Sequence, residues 1–197
     1  MKIKFILLFL VIYTSCIAQE NEALDSIFNQ TKKIEIIAFY DRDKWNREDR
    51  FTDVNYIRNN NIEIKEKYVR NRILLNQDQI NKLKSEFENC KSEDFESADC
   101  YWPRHVLIFT NTKNEIFGYI EICFSCGNSE SSKNLKFLER CVLKQEKLFK
   151  EFGITYFEET EEEIKDLKIK REEEQRVFEE KMKAIEEKNK IKQENKN

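Results

Sequence analysis

The spacing of hydrophobic and polar positions changes along the chain, and each pattern predicts an element. Lys32 to Asp41 (KKIEIIAFYD) is dense in β-branched and aromatic residues with no helical stripe, which predicts a strand. A polar loop, RDKWNREDR, follows. The stretch DVNYIRNNNIEIKEKYVRNRILLN then holds two or three strand-like runs, divided at Asn59, Asn60 and Asn61. Asparagine tolerates left-handed backbone, so that triple predicts a turn. In NQDQINKLKSEFENC, Ile80, Leu83 and Phe87 recur at helical spacing, predicting a helix over 77–89 capped by Asn76 or Asp78. A second helix is predicted over 136–152, with Phe137, Leu138, Val142, Leu148, Phe149 and Phe152 on its apolar side and Gly153 as its stop.

Between the helices, RHVLIFT and EIFGYIEIC read as two strands joined by NTKN. A type I turn over Asn111 to Asn114, with Asn114 left-handed, makes a three-residue hairpin with a bulge. Placing Asn111 opposite Glu115 pairs Val106 with Ile120, Ile108 with Gly118 and Thr110 with Ile116 on a core-facing side. The other side then pairs Leu107 with Tyr119, Phe109 with Phe117 and His105 with Glu121. At the open end Cys100 faces Cys126, and Pro103 faces Cys123. A slip of one residue would exchange the faces but keep Cys100 beside Cys123 and Cys126.

From Glu158 the chain is dominated by Glu and Lys, with no Gly or Pro. Glu161–Lys165, Asp166–Lys170, Glu172–Arg176, Glu179–Lys183 and Glu186–Lys190 stand at the favourable i,i+4 spacing, each pair worth roughly 0.2–0.5 kcal/mol. A solvated helix is expected. Ile164, Leu167, Phe178, Met182 and Ile185 form one narrow stripe on it, interrupted by Arg171 and Glu174, which leaves open a coiled-coil or docking seam.

Met1 to Lys4 is basic, and Phe5 to Tyr13 is an apolar run too short at ~1.5 Å per residue to span a ~30 Å hydrocarbon core. Residues 1–18 therefore read as a signal peptide, 19–157 as an α+β domain and 158–197 as a charged helical tail. Cleavage after Ala18 would release a chain beginning at Gln19. Alternatively, YTSC serves as a loose lipobox and Cys16 becomes a lipidated first residue. Both readings place the protein outside the cytoplasm, in the periplasm or secreted, with membrane attachment only through a lipid on Cys16. A net charge of -3 with both signs abundant argues against a nucleic-acid partner. With 3 Gly in 197 residues, no glycine-rich phosphate loop is present.

Export permits disulfides. Beyond the leader, Cys90, Cys100, Cys123, Cys126 and Cys141 make an odd number, so one thiol stays free or pairs between molecules. The cluster at the open end of the hairpin has three candidate uses. A disulfide, Cys100–Cys126 or Cys100–Cys123, would close a loop of ~25 residues and stabilise by roughly 3 kcal/mol. Zinc would find ligands in Cys100, His105, Cys123 and Cys126. Thiol–disulfide exchange by Cys123 and Cys126 would use a Cys-x-x-Cys pair, although no helix follows closely enough to activate it. Glu121 opposite His105 would orient the ring as a base, whereas a lone histidine on an aromatic face ordinarily serves structure. Cys90 and Cys141 would pair if the two helices share a face of the sheet.

Cys100, Tyr101, Pro103 and Arg104, followed by Ile120, Glu121, Ile122, Cys123, Phe124 and Cys126, form a Cys-Tyr-x-Pro-Arg … Ile-Glu-Ile-Cys-Phe-x-Cys pattern. In this the chain resembles a family of small exported or lipoprotein-like proteins widespread in Bacteroidota. The resemblance runs from the first strand to Phe157, with Ser125 where an acidic residue is common, and the tail lies beyond it. It implies an envelope location and carries no activity. The expected architecture is α+β: an antiparallel sheet of four to six strands, two helices packed on one face, and a long charged C-terminal helix. The expected function is a non-enzymatic envelope protein that binds a protein or small-molecule partner, with a structural cysteine cluster and no cofactor. The alternative is a thiol-redox or metal-dependent activity centred on Cys123, Cys126, Cys100 and His105.

Overall fold

The computed structural model describes residues 22–40, 42–45, 57–58, 61–62, 64–90 and 100–194. The leader with Cys16, and much of the asparagine-rich stretch, lie outside the described residues. The architecture is α+β. A five-stranded antiparallel sheet has the order β4-β1-β5-β6-β7, formed by β1 Thr31–Phe39, β4 Val69–Leu74, β5 His105–Asn111, β6 Ile116–Cys123 and β7 Asn128–Ser131. A separate two-stranded ladder joins β2 Ile57–Arg58 to β3 Asn61–Ile62. The chain divides into two compact units, the first ending at Phe157 and the second beginning at Glu158.

Sheet alternation explains why β1 carries apolar residues in succession. Ile34, Ile36 and Ala38 point to one face and Ile37 and Phe39 to the other, and both faces are covered. The first face packs under three helical segments: α1 (residues 22–30), α2 Gln77–Glu88 and the stretch from Lys133 to Phe152. The second is covered by Trp45, Ile64 and Tyr68, with the indole stacked on the phenol ring at 4.7 Å between centroids. Trp45 Nε1 donates to the Tyr40 carbonyl at 2.7 Å, so the indole is buried without an orphaned donor.

α2 begins as expected. Asn76 Oδ1 accepts from the Gln79 amide, and Gln79 Oε1 accepts from the Asn76 amide, both at 2.9 Å, a reciprocal capping box. α1 precedes β1 with no intervening loop. Its signal is short, Leu24, Ile27 and Phe28 at helical spacing, and Thr31 Oγ1 caps its end by donating to the Ile27 carbonyl at 2.7 Å.

The second predicted helix is corrected. Residues 133–152 form a 3-10 segment Lys133–Leu138, α3 Glu139–Val142, a 3-10 turn Leu143–Gln145 and α4 Glu146–Phe152. Leu135, Leu138 and Cys141 recur every three residues, the spacing of a 3-10 helix, and all are buried. α4 ends at Gly153, whose φ of 107° is left-handed.

The hairpin tip forms as read. Asn114 has φ 62°, its amide donates to the Asn111 carbonyl at 3.0 Å, and Asn111 Oδ1 accepts from the amides of Lys113 and Glu115. Beyond it the register is corrected. Thr110 still pairs with Ile116, but a bulge then sets Phe109 against Gly118, so Phe117 is the inserted residue and every later pair moves by one. Leu107 pairs with Ile120, Val106 with Glu121 and His105 with Ile122. The core-facing set is therefore Leu107, Phe109, Ile120 and Ile122, while Val106 and Ile108 line the opposite face.

The second unit is a helix, α5 Glu161–Glu194. Thr160 Oγ1 accepts from the Glu163 amide and Glu163 Oε2 from the Thr160 amide, a second capping box. Within α5, Arg176 pairs with Glu173 at 2.6 Å and with Glu180 at 3.6 Å. No helix among the described residues is long and apolar enough to cross a membrane.

Candidate functional site

The open end of the β5–β6 hairpin gathers three sulfurs. Cys123 closes β6 and Cys126 sits in the tight turn to β7, joined to it by a disulfide with Cα atoms 5.3 Å apart. Cys100, at the start of the segment leading into β5, is a free, half-buried thiol whose Sγ lies 3.0 Å from Cys126 Sγ. The proximity of the three follows from the hairpin and survives the register change. The pairing does not: neither Cys100–Cys126 nor Cys100–Cys123 is the bond formed, and Cys123 bonds its neighbour across the turn. A second disulfide, Cys90–Cys141, ties the end of α2 to α3 with Cα atoms 5.7 Å apart, as two helices on one face allow.

The sulfurs lie deep. Cys123 is 1% and Cys126 3% exposed. Among the described residues no helix begins directly after either, because Phe124 to Gly127 form the turn and β7 follows at once. Ser125 stands over the bond instead. Its Oγ lies 3.6 Å from Cys123 Sγ and accepts from Arg104 Nη1 at 3.2 Å.

Glu121 projects to the face opposite the helices. It is buried, ion-paired with Arg42, and its Oε2 lies 3.5 Å from the Tyr101 hydroxyl. Burial raises the Glu121 carboxyl above the ordinary range, and the Arg42 guanidinium opposes that shift. Burial likewise pushes the Tyr101 phenol up, with the nearby Glu130 carboxylate adding to it.

His105 is separated from this group. Since it pairs with Ile122 rather than Glu121, its ring points to the helix-covered face, among Phe124, Phe149 and Phe157. Nε2 lies 2.8 Å from the Tyr156 carbonyl, which makes it the protonated nitrogen, and Nδ1 is buried without a hydrogen-bond partner. Burial holds its pKa down to about 4, so the ring is neutral at ordinary pH. The expected His105–Glu121 pair is thus overturned, and with it the ligand set Cys100, His105, Cys123 and Cys126. Among the described residues no group of three or more Cys, His, Asp or Glu could hold a metal ion.

The contribution of Arg42 was not legible beforehand. It reaches Glu121 across 79 residues of sequence, and only the register that turns Glu121 away from His105 brings the two together. A shallow recess of about 210 Å³ lies at the far end of the hairpin, along Phe117, Gly118 and Tyr119. There β6 runs past the end of β7, and its edge is satisfied locally. Ser132 bonds Tyr119, and Asn134 Nδ2 donates to the Phe117 carbonyl at 3.0 Å.

Comparison with protein-family models, with curated proteins and with solved structures finds no match to this chain.

Proposed function

We propose that this chain is an exported, non-enzymatic binding or interaction module whose cysteines serve its own fold. The burial of Cys123 and Cys126 carries this reading: a dithiol that serves other proteins needs an attacked sulfur within reach, and both lie in the interior. Two bridges also suit an oxidising compartment. The groups of catalytic type are dispersed, with His105 on one side of the sheet and Glu121 on the other. The test is an insulin-reduction assay on the purified chain, with non-reducing peptide mapping of protein taken from its native envelope. Both bridges intact and no turnover support the proposal. Turnover that Cys123→Ser abolishes overturns it.

The 3.0 Å approach of Cys100 to Cys126 favours a second reading, an exchange confined to these three sulfurs. The Cys100 thiolate would attack Cys126 Sγ, forming the Cys100–Cys126 bond as the Cys123–Cys126 bond breaks. The electron pair leaves on Cys123, and the proton given up by Cys100 can return there. Ser125 Oγ, polarised by Arg104, stands where the departing thiolate needs a hydrogen bond. No external oxidant or reductant enters. Peptide mapping after alkylation at acid and at alkaline pH separates the readings: a single bridge at both favours a fixed staple, and two isomers favour exchange.

A further inference from the structure

α5 carries apolar side chains in solvent, most of them on one stripe, with Ile169, 57% exposed, on the opposite side. Ile164, Phe178, Met182 and Ile185 are 52, 36, 41 and 50% exposed. At seven-residue spacing, Ile164, Arg171, Phe178 and Ile185 form one row; three residues on, Leu167, Glu174 and Lys181 form the next. Those are the two rows of a coiled-coil seam, with one heptad replaced by an arginine and a glutamate and Lys181 in the second row of the next.

We propose that α5 pairs with α5 of a second copy of this chain, antiparallel, about a two-fold axis between residues 172 and 173. Charge complementarity at the interruption selects this geometry. In a parallel pair each row meets itself, setting Arg171 against Arg171 and Glu174 against Glu174 in adjacent layers. In the antiparallel pair the row residues from Ile164 to Lys181 each meet one of the other row, and Ile185 falls beyond them, opposite Thr160. Arg171 then meets Glu174, Leu167 meets Phe178 and Ile164 meets Lys181, and every layer recurs by symmetry. Met182 lies beside Lys181 and covers Ile164 of the second copy, while the lysine stem runs along the seam with its ammonium in water.

The register is also selected. Sliding one helix by a heptad sets Arg171 against Lys181 in one direction and against Leu167 in the other. Flanking the chosen seam, Lys170 meets Val177, Lys168 meets Gln175 and Glu163 meets Ala184, with no like charges opposed. The interruption that spoils a parallel coil therefore becomes the device that fixes orientation and register. The pairing involves the second unit alone and does not depend on the function proposed for the first.

Sedimentation equilibrium of the full-length chain, from about 10 µM to about 1 mM, should show reversible dimerisation. Arg171→Glu and Glu174→Arg should each weaken it at least about tenfold by opposing like charges in both central layers, and the double exchange should restore it to within about threefold. Circular dichroism checks that each variant keeps its helix. Nitroxides at Lys188→Cys, in a Cys16→Ala/Cys100→Ala background, should lie about 45 Å apart, against about 10 Å for a parallel pair. A chain monomeric throughout, a dimer indifferent to the single exchanges, or labels at the shorter distance would each overturn the proposal.

Discussion

Cys100 Sγ stands 3.0 Å from Cys126 Sγ while Cys126 is bonded to Cys123, so one sulfur is within reach of two partners. Removing either competitor should commit Cys126 to the other. Cys123→Ser is expected to yield a Cys100–Cys126 bridge, and Cys100→Ala to leave the Cys123–Cys126 bridge alone. The Cys100–Cys126 bridge closes a 26-residue separation and is worth about 3.5 kcal/mol on the chain-entropy model, against about 2 kcal/mol for the three-residue separation of Cys123–Cys126. Cys126→Ser removes both and should be the most destabilising of the three. Non-reducing peptide maps and urea midpoints of the three variants check these outcomes.

Cys90–Cys141 spans 51 residues and anchors a segment whose own helical pattern is broken. Chain entropy alone gives about 4 kcal/mol for that loop. The double variant Cys90→Ala/Cys141→Ala should therefore lose about 4 kcal/mol in chemical denaturation, more than Cys100→Ala loses. Hydrogen exchange should rise first over Lys133–Phe152, where 3-10 turns leave fewer α-helical bonds.

How much of this was legible follows from the kind of signal each element carries. The turn at Asn111 to Asn114 and the cap at Asn76 are local chemistry, written in residues a few positions apart, and both form as read. The bulge at Phe117 is not local. Phe109 and Phe117 still meet, their rings 6.4 Å apart, yet the insertion moves His105 from Glu121 to Ile122 and exchanges the faces of the sheet. What favours it is a distant element: the 3-10 segment crosses over Gly118, and its Asn134 holds the Phe117 carbonyl. Closeness of the sulfurs survived because a slip of one residue moves them little. Which sulfurs bond depends on side-chain direction, which a slip of one residue reverses.

Gly118 tests that explanation. A Cβ built there would fall 2.7 Å from Leu135 Cδ1, 3.1 Å from Leu135 Cγ and 3.3 Å from Asn134 Nδ2, and Leu135 is fully buried. Gly118→Ala should destabilise by about 1–3 kcal/mol through overpacking. Pairing it with Leu135→Ala should recover part of that loss, since the added methyl then occupies vacated volume. A double-mutant cycle on urea midpoints measures the coupling; simple additivity of the two losses would place the bulge's cause elsewhere.

His105 sets the response to acid. Its folded pKa of about 4 lies below the unfolded value of about 6.5, so between them the unfolded chain binds the extra proton. Stability is fully present above the unfolded value and is lost as pH falls toward 4, by about 3 kcal/mol in all. Glu121 works in the opposite sense, because its raised carboxyl pKa makes the fold lose stability as pH climbs from the ordinary carboxylate range to that higher value. The difference between the native chain and His105→Gln isolates the histidine, since glutamine can still donate to the Tyr156 carbonyl but does not titrate here. Urea denaturation at pH 7 and near pH 4.5 should show the native chain losing markedly more stability than the variant. Equal losses would mean that His105 titrates near its ordinary value, and ¹⁵N shifts reporting a proton on Nε2 alone at both pH values would independently support the neutral, buried ring.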